Sequence, residues 1–438
     1  MGAAQTARLS ESRAAPVAAA YAQQLLDSFG LRAANALDLP DEHPALSWAR
    51  SGLMALTGHA DGPPLMCPVP LAACADGMLA ALASLAPAGS LDGLRGSRLL
   101  AERAAITGYT RRGAIAPGGC HLLECADGWL AVNLTRDEDW QMLPAWLECD
   151  VSADWGGITS IVSARSAWEL VERARELGLA VAVNPSFPQG ICPPPFGRGA
   201  GVRAYPADGP HPSLRDTFSQ REKDESPLVV DLSSLWAGPL CSHLLQLCGA
   251  EVFKLESLQR PDGARNGHFA FFDLLNHGKR SVTLDFATDQ GRAQLRELLA
   301  KADIVIEGTR PRALRQLGIE AETLIRDNPR LTWVSITGHG RGDPQENWIA
   351  YGDDAGVAAG LSEIMYQASG QRVFVGDAIA DPLTGLHAAV AAYASFQQGG
   401  GRLLSLSLVD VVRRCVAFDL PSSLRALRQR QREWSALV

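Results

Sequence analysis

Leu228-Val229-Val230-Asp231-Leu232-Ser233-Ser234-Leu235-Trp236-Ala237-Gly238-Pro239, residues 228–239, decide how the rest of the chain is read. Leu228–Leu232 has the apolar run of a buried strand, and Cys241–Leu247 has helical spacing. Ala237-Gly238-Pro239 joins the two. Small residues at such a turn let a ligand approach the backbone, and a helix N-terminus favours a phosphate. An ordinary strand–helix turn has the same appearance. Strands are predicted further on at Glu251–Leu255, Ser281–Phe286, Asp303–Glu307 and Leu331–Ile336. Helices are predicted at Asp289–Ala300, Arg312–Leu317, Asp353–Leu361 and Thr384–Phe396. Alternation of this kind predicts an α/β fold with a mostly parallel, Rossmann-like sheet, over 227–415.

Upstream the texture differs. Cys120–Cys125 and Trp129–Leu134 are short apolar runs around Ala126-Asp127-Gly128, a strong hairpin signal. Helical patterns at Asp137–Leu147 and Ser166–Leu177 and a strand at Leu179–Val183 complete a smaller α+β domain over 116–190. Residues 191–226 are a linker by composition, and 416–438 read as a C-terminal tail. Residues 1–115 form a helical block that begins with a loose extension at 1–15. Helices are predicted in it at Val17–Phe29 and Gly77–Leu85, and the five arginines within 94–115 suggest an exposed helix and its flanks.

The 438 residues suffice for two or three domains with real cores. The net charge of −8 argues against nucleic acid as the main partner. Nine cysteines without a CxxC pair suit reduced thiols in a cytoplasmic protein, and no structural metal is expected. No apolar run of about 18 residues predicts a membrane span.

The chain also matches itself. A shift of 308 lays Gly52–Leu82 on Gly360–Val390 without a gap, with eight of 31 positions identical, Gly77/Gly385 among them. A shift of 219 lays Leu25, Leu26 and Gly30 on Leu244, Leu245 and Gly249. Duplication, with 1–115 a remnant that lost most of its sheet, explains both shifts. Coincidence between Ala/Leu/Gly-rich helices is the competing reading.

Several runs, in order, carry a resemblance. They are Val229–Pro239, then Gly249-Ala250-Glu251-Val252-Phe253-Lys254-Leu255-Glu256, then Gly278-Lys279-Arg280-Ser281-Val282-Thr283-Leu284-Asp285. Next come Ala302-Asp303-Ile304-Val305-Ile306-Glu307, Asn328-Pro329-Arg330-Leu331 with Ser335-Ile336-Thr337-Gly338-His339-Gly340, and Ala380-Asp381 with Gly385. Together they resemble the large domain of the class III coenzyme A transferases, a family that includes acyl-CoA racemases. The resemblance implies that Asp381 attacks an acyl-CoA thioester, giving an aspartyl anhydride, then an aspartyl-CoA thioester, then transfer to a second carboxylic acid. It implies no metal. It implies coenzyme A contacts from Trp236, Ala237, Gly238, Arg260, Lys279, Arg280, Gly308, Thr309, Arg315, Gly338 and His339. It makes Gly118 and Gly119, before Cys120, the counterpart of the family's oxyanion-binding glycine loop. It also implies a homodimer, interlocked in family members. Asp377, four residues before Asp381, is the competing carboxylate, and a helix-opening role is the bland reading of Asp381-Pro382.

The departures are informative. The small domain precedes the large one here, whereas it follows it in the family. Ala73 occupies the place of Asp381 in the N-terminal copy, so one active centre per chain is expected. Where the racemases have a histidine, this chain has Ala350-Tyr351-Gly352, which disfavours racemisation. Isomerisation or epimerisation of an acyl-CoA, and acyl-CoA binding without catalysis, stand as alternatives to transfer.

Overall fold

The computed structural model describes residues 16–33, 37, 39, 41–186, 202–206 and 226–438. The expected extension at 1–15 and most of the expected linker lie outside the described residues.

The strands are β1 (His121–Glu124), β2 (Trp129–Asn133), β3 (Ala180–Asn184), β4 (Val202–Pro206), β5 (Leu228–Asp231), β6 (Glu251–Ser257), β7 (Arg280–Leu284), β8 (Ile304–Glu307), β9 (Thr332–Thr337) and β10 (Arg402–Ser407). β1, β2 and β3 form an antiparallel sheet. The other seven are ordered β4-β10-β9-β8-β5-β6-β7. Six of these run parallel, and β4 pairs antiparallel on the outer edge of β10. Counted from β5, the parallel strands follow the 3-2-1-4-5-6 order of doubly wound sheets. The order reverses between β5 and β8, where such sheets place ligands beyond the strands' carboxyl ends.

Residues of each strand alternate between two cores. Val229, Ile304, Ile306, Val334 and Leu404 face one helical layer. Val230, Val305, Trp333 and Leu403 face the other. The first layer includes the N-terminal helices: Leu25, Leu26, Trp48, Met78 and Leu82 share a core with Leu240, Leu244, Val390 and Val412. The three-stranded module has its own core around Trp146, Leu170 and Val171.

The two halves use the same helix contact. A methyl placed on Gly77, in the helix Leu71–Leu85, would lie 2.4 Å from the carbonyl oxygen of Ala18. A methyl placed on Gly385, in the helix Ala380–Gln397, would lie 2.7 Å from the carbonyl oxygen of Ala237. The shift of 308 relates the glycines, and the shift of 219 relates the alanines. Gly52 and Gly360, also 308 apart, both adopt left-handed backbone, with φ 94° and 97°.

The structure departs from the expectations in several places. β4 is a strand at Val202–Pro206, inside the stretch expected to be a linker. The helix expected at Asp353–Leu361 is two helices, Gly352–Ala358 and Leu361–Ser369, broken at the left-handed Gly360. β10 was not predicted; it is a six-residue strand just after Gly399-Gly400-Gly401. Residues 416–438 do not trail off, because the helix Leu424–Ser435 buries Leu427 and Trp434 in the main core.

Helix propensity alone predicts that Gly→Ala within a helix stabilises by about 1 kcal/mol. Backbone approach at both helix pairs reverses that sign. Gly77→Ala and Gly385→Ala are each expected to lower stability by about 1–3 kcal/mol, measured by denaturant or thermal unfolding.

Candidate active site

Four carboxylates converge where the helices Gly352–Ala358 and Ala380–Gln397 begin. Asp353 and Asp354 come from the first helix, Asp377 from the approach to the second, and Asp381 from its first turn. Their side chains are not equivalent.

Asp377 is fully buried, and both its oxygens are taken by Arg103: Nε donates to Oδ2 at 2.8 Å, and Nη2 donates to Oδ1. Asp353 accepts the Ala378 N–H at 2.8 Å. Asp354 accepts the Tyr351 N–H at 2.9 Å and Asn133 Nδ2 at 3.2 Å, both on Oδ1, while its buried Oδ2 has no partner. Asp381 alone is half-buried rather than buried, and no side-chain donor holds it. The helix-opening reading of Asp381 is partly met: it lies in the first turn, though Ile379 caps the helix.

Burial raises the proton affinity of three of these carboxylates. Burial pushes Asp381 up to about 7, with Asp377 adding to the rise and Arg103 opposing it. Burial likewise pushes Asp354 up to about 7, and it raises Asp353, with Asp377 adding.

Local backbone makes room for this cluster. A methyl on Gly352 would lie 2.3 Å from the Ala378 carbonyl oxygen and 2.5 Å from Asp381 Oδ2. Ala378 itself has φ 43°, a strained left-handed conformation that its bond to Asp353 helps hold.

The three-stranded module seats against this place. Asn133 at the end of β2 reaches Asp354, and Asn184 at the end of β3 donates to Glu363 Oε2 at 3.2 Å. Gly118 is exposed, and a methyl on it would lie 3.3 Å from Asp353 Oδ2 and 3.5 Å from Arg103 Nη2. Gly119 turns with φ 96°. The glycine turn and the carboxylates therefore meet within one chain.

The residues expected to contact coenzyme A divide. Those at the β5/β8 switch point lie together: Gly308 follows β8, and a methyl on it would lie 3.1 Å from Ser233 Cβ, beyond β5. Thr309 beside it is exposed. Gly238 is required by packing, since a methyl there would sit 2.0 Å from Ser233 Oγ. Ala237 and Trp236 are buried, with the Trp236 ring edge-on to Phe271 at 5.1 Å. Leu235, with φ 70°, turns the chain ahead of Trp236, and its N–H donates to Asp262 at 2.9 Å. Gly338 packs on Ala350, and His339 lies edge-on to Trp348 at 5.5 Å. Arg260 is exposed just after β6. Arg280 pairs with Glu251 and Arg315 with Glu346, each at 2.8 Å.

Lys279 does not reach the surface. Its ammonium lies 2.7 Å from Ser242 Oγ, 2.9 Å from the Pro239 carbonyl oxygen and 3.3 Å from Asp231 Oδ2. Burial lowers it to about 8, against the opposing pull of Asp231. Asp231, in the stretch that opened the reading, is thus an internal anchor: it accepts from Lys279, Ser233 and Ser242 and fixes the strand–helix turn.

Arg103, Asp353 and Asp354 escaped the sequence reading. Arg103 belongs to the arginine-rich stretch expected to be exposed, yet Ala101 and Ala104 beside it are buried and its guanidinium points inward.

The model of CoA-transferase family III matches residues 227–436. That region is similar to CoA-transferase family III. An acyl-CoA transferase of Fusarium pseudograminearum is 31% identical over 201 residues, which are 42% of this chain and 44% of its own. A succinate–glutarate CoA-transferase of Agrobacterium fabrum is 31% identical over 200 residues, 42% of this chain and 50% of its own. A formyl-CoA:oxalate CoA-transferase of Bradyrhizobium diazoefficiens is 31% identical over 218 residues, 47% and 51% of the two chains. A solved CAIB/BAIF family protein from Brucella suis is 31% identical, covering 44% of this chain and 54% of that one, with TM-score 0.41. The chain spans about half the length of the curated relatives it matches. Among the described residues no cluster of three or more His, Cys, Asp or Glu side chains is arranged for a metal, and no helix is long and apolar enough to cross a membrane.

The buried aspartates give a stability prediction. Asp354 titrates higher folded than unfolded, so the folded state keeps a proton that the unfolded chain has lost between about pH 4 and 7. Stability from this group is present below about pH 4 and declines as pH rises to about 7. Asp354→Asn keeps the accepting oxygen and removes the charge. It is expected to stabilise the protein by on the order of 2 kcal/mol at pH 8 and little at pH 4, read by thermal unfolding at the two pH values.

Proposed function

We propose that the chain is an acyl-CoA:carboxylate CoA transferase in which Asp381 is the nucleophile. The observation that carries this reading is the inequality of the four carboxylates: Asp353, Asp354 and Asp377 are buried, and Asp381 is the one left half-open, with only the Gly352 backbone N–H as donor. Asp377, the competing carboxylate, is closed off by its two bonds to Arg103.

The chemistry closes on itself. An Asp381 oxygen attacks the thioester carbonyl, the carbon–sulfur bond breaks, and an aspartyl anhydride and coenzyme A thiolate result. The thiolate then attacks the Asp381 carbonyl carbon, releasing the donor acid and leaving an aspartyl-CoA thioester. An acceptor carboxylate attacks that thioester, forming a second anhydride. Attack of the thiolate on the acceptor's carbonyl gives the new acyl-CoA and restores Asp381. No oxidant, reductant or metal enters the balance. Each attack builds an oxyanion, for which the Gly118 N–H is the backbone donor proposed; the Gly119 N–H, expected to share that role, is instead taken by the Ala116 carbonyl oxygen at 2.9 Å.

The chain's parts suit this reaction. Coenzyme A would lie beyond the carboxyl ends of β5 and β8, near Gly308 and Thr309, with Arg260 as an exposed cation for its phosphates. The relatives named for succinate, glutarate, formate and oxalate transfer suggest a small carboxylic acid as acceptor.

We read residues 16–115 as a duplicated half that keeps no centre of its own. The shift of 308 places Ala45, Leu46, Val69 and Ala73 on Asp353, Asp354, Asp377 and Asp381. All four carboxylates are absent there, so each chain would carry one centre, with the glycine turn supplied by the same chain.

Because Asp381 must be ionised to attack, turnover is expected to rise with pH through about 7. With an acyl-CoA and a panel of small acids, Asp381→Asn is expected to lose at least about 10³-fold in kcat, while Asp377→Asn keeps turnover. Full activity of Asp381→Asn with a properly folded protein would sink the reading.

A further inference from the structure

Arg103 is a cation supplied across the internal repeat. It sits in the short helix Glu102–Thr107 of the N-terminal half, yet its guanidinium closes on Asp377 of the C-terminal half, 274 positions away. The same guanidinium lies 4.9 Å from the ring of Trp236, just after β5, and against Gly118 of the small module. It therefore touches all three parts of the molecule at the carboxylate cluster.

The shift of 308 puts Val411 on Arg103 and Val69 on Asp377. Both valines are fully buried and belong to the main core. The positions 308 residues away thus hold buried apolar side chains where this junction holds an ion pair.

We propose that Arg103 is a positioning residue for Asp381: its clamp on Asp377 fixes a guanidinium beside the reacting carboxylate and keeps that carboxylate ionised. This rests on the reading of Asp381 as the nucleophile. The charged and titratable groups facing Asp381 are Arg103, Asp353 and Asp354 from the helix Gly352–Ala358, and Asp377 from the turn ahead of its own helix. The small module adds the buried Cys120 thiol, pushed up by burial and by Asp354 and Asp353. Glu102, next to Arg103, is itself pushed up to about 7 by burial. Arg103 is the one cation in this set. It favours the charged form of Asp381, and Asp377 opposes it, so the two members of the ion pair act on Asp381 with opposite sign.

That opposition gives the test. Arg103→Met and Asp377→Asn both break the same ion pair, so a purely structural role makes them behave alike. The proposal expects the acid limb of kcat to move up by about one pH unit in Arg103→Met and down in Asp377→Asn. The Asp381 carboxyl resonance, assigned in ¹³C-aspartate-labelled full-length protein by its loss in Asp381→Asn, is expected to titrate in the same two directions. Should Arg103→Met fail to fold, the double variant Arg103→Val/Asp377→Val copies the Val411/Val69 pair and is expected to raise both readings, because Arg103 outweighs Asp377. Shifts in one direction for both single variants, or no shift in either or in the double variant, would overturn the proposal. Absence of transferase turnover in the unsubstituted protein, with the carboxyl titrations still diverging, would overturn the catalytic reading and leave the electrostatic role standing.

Discussion

A single buried ion pair, Arg103 with Asp377, ties the helices of the N-terminal half to the carboxylate cluster of the C-terminal half. The cluster needs such a partner. Four carboxylates packed at two helix starts repel one another, and each loses hydration. One guanidinium neutralises the fully buried Asp377, and backbone or asparagine donors serve two more. What remains is one carboxylate with room around it. Removing Arg103 alone would leave Asp377 buried without a counter-charge, which typically costs about 3–5 kcal/mol. Asp381 is thus defined as much by what holds its neighbours as by its own contacts.

The helix packing beneath that pair explains why an N-terminal segment without a sheet of its own is folded at all. The helices Val17–Ser28 and Leu71–Leu85 have no separate core and share the one built on the parallel sheet. Their contact through Gly77 is the counterpart of the contact through Gly385. The sheet supplies the edge proposed for coenzyme A, the helical layer supplies the carboxylates and their cation, and the small module supplies the glycine turn. These three contributions converge because the strand order reverses at β5 and β8, directly beneath the helix that starts at Ala237.

Much of this was legible in the sequence. The five strands expected between residues 228 and 336 are all present, because buried parallel strands leave short apolar runs between turn residues. The hairpin around Asp127-Gly128 is also present, in the register that pairs Glu124 with Trp129. Contacts between distant residues were not legible. Arg103 stands among arginines that do face solvent, and nothing local distinguishes it from them. Asp353 and Asp354 look like the polar side of an exposed helix until the small module covers them. Lys279 and Arg280 are neighbours of the same charge, yet one is turned inward onto Asp231 and the other outward onto Glu251. A linear chain does not announce which of two adjacent cations lies ahead of a strand's inward turn.

The most direct test of the central claim is mass-spectrometric mapping of the protein after brief incubation with an acyl-CoA and trapping with hydroxylamine or borohydride. An activated aspartyl carbonyl is converted to a hydroxamate by the first reagent and reduced to the alcohol by the second, each with a defined mass change. The account predicts that change on the peptide carrying Asp381, dependent on acyl-CoA and absent from Asp381→Asn. Turnover with no modification of Asp381, or with the modification on Asp377, Asp353 or Asp354, would contradict it.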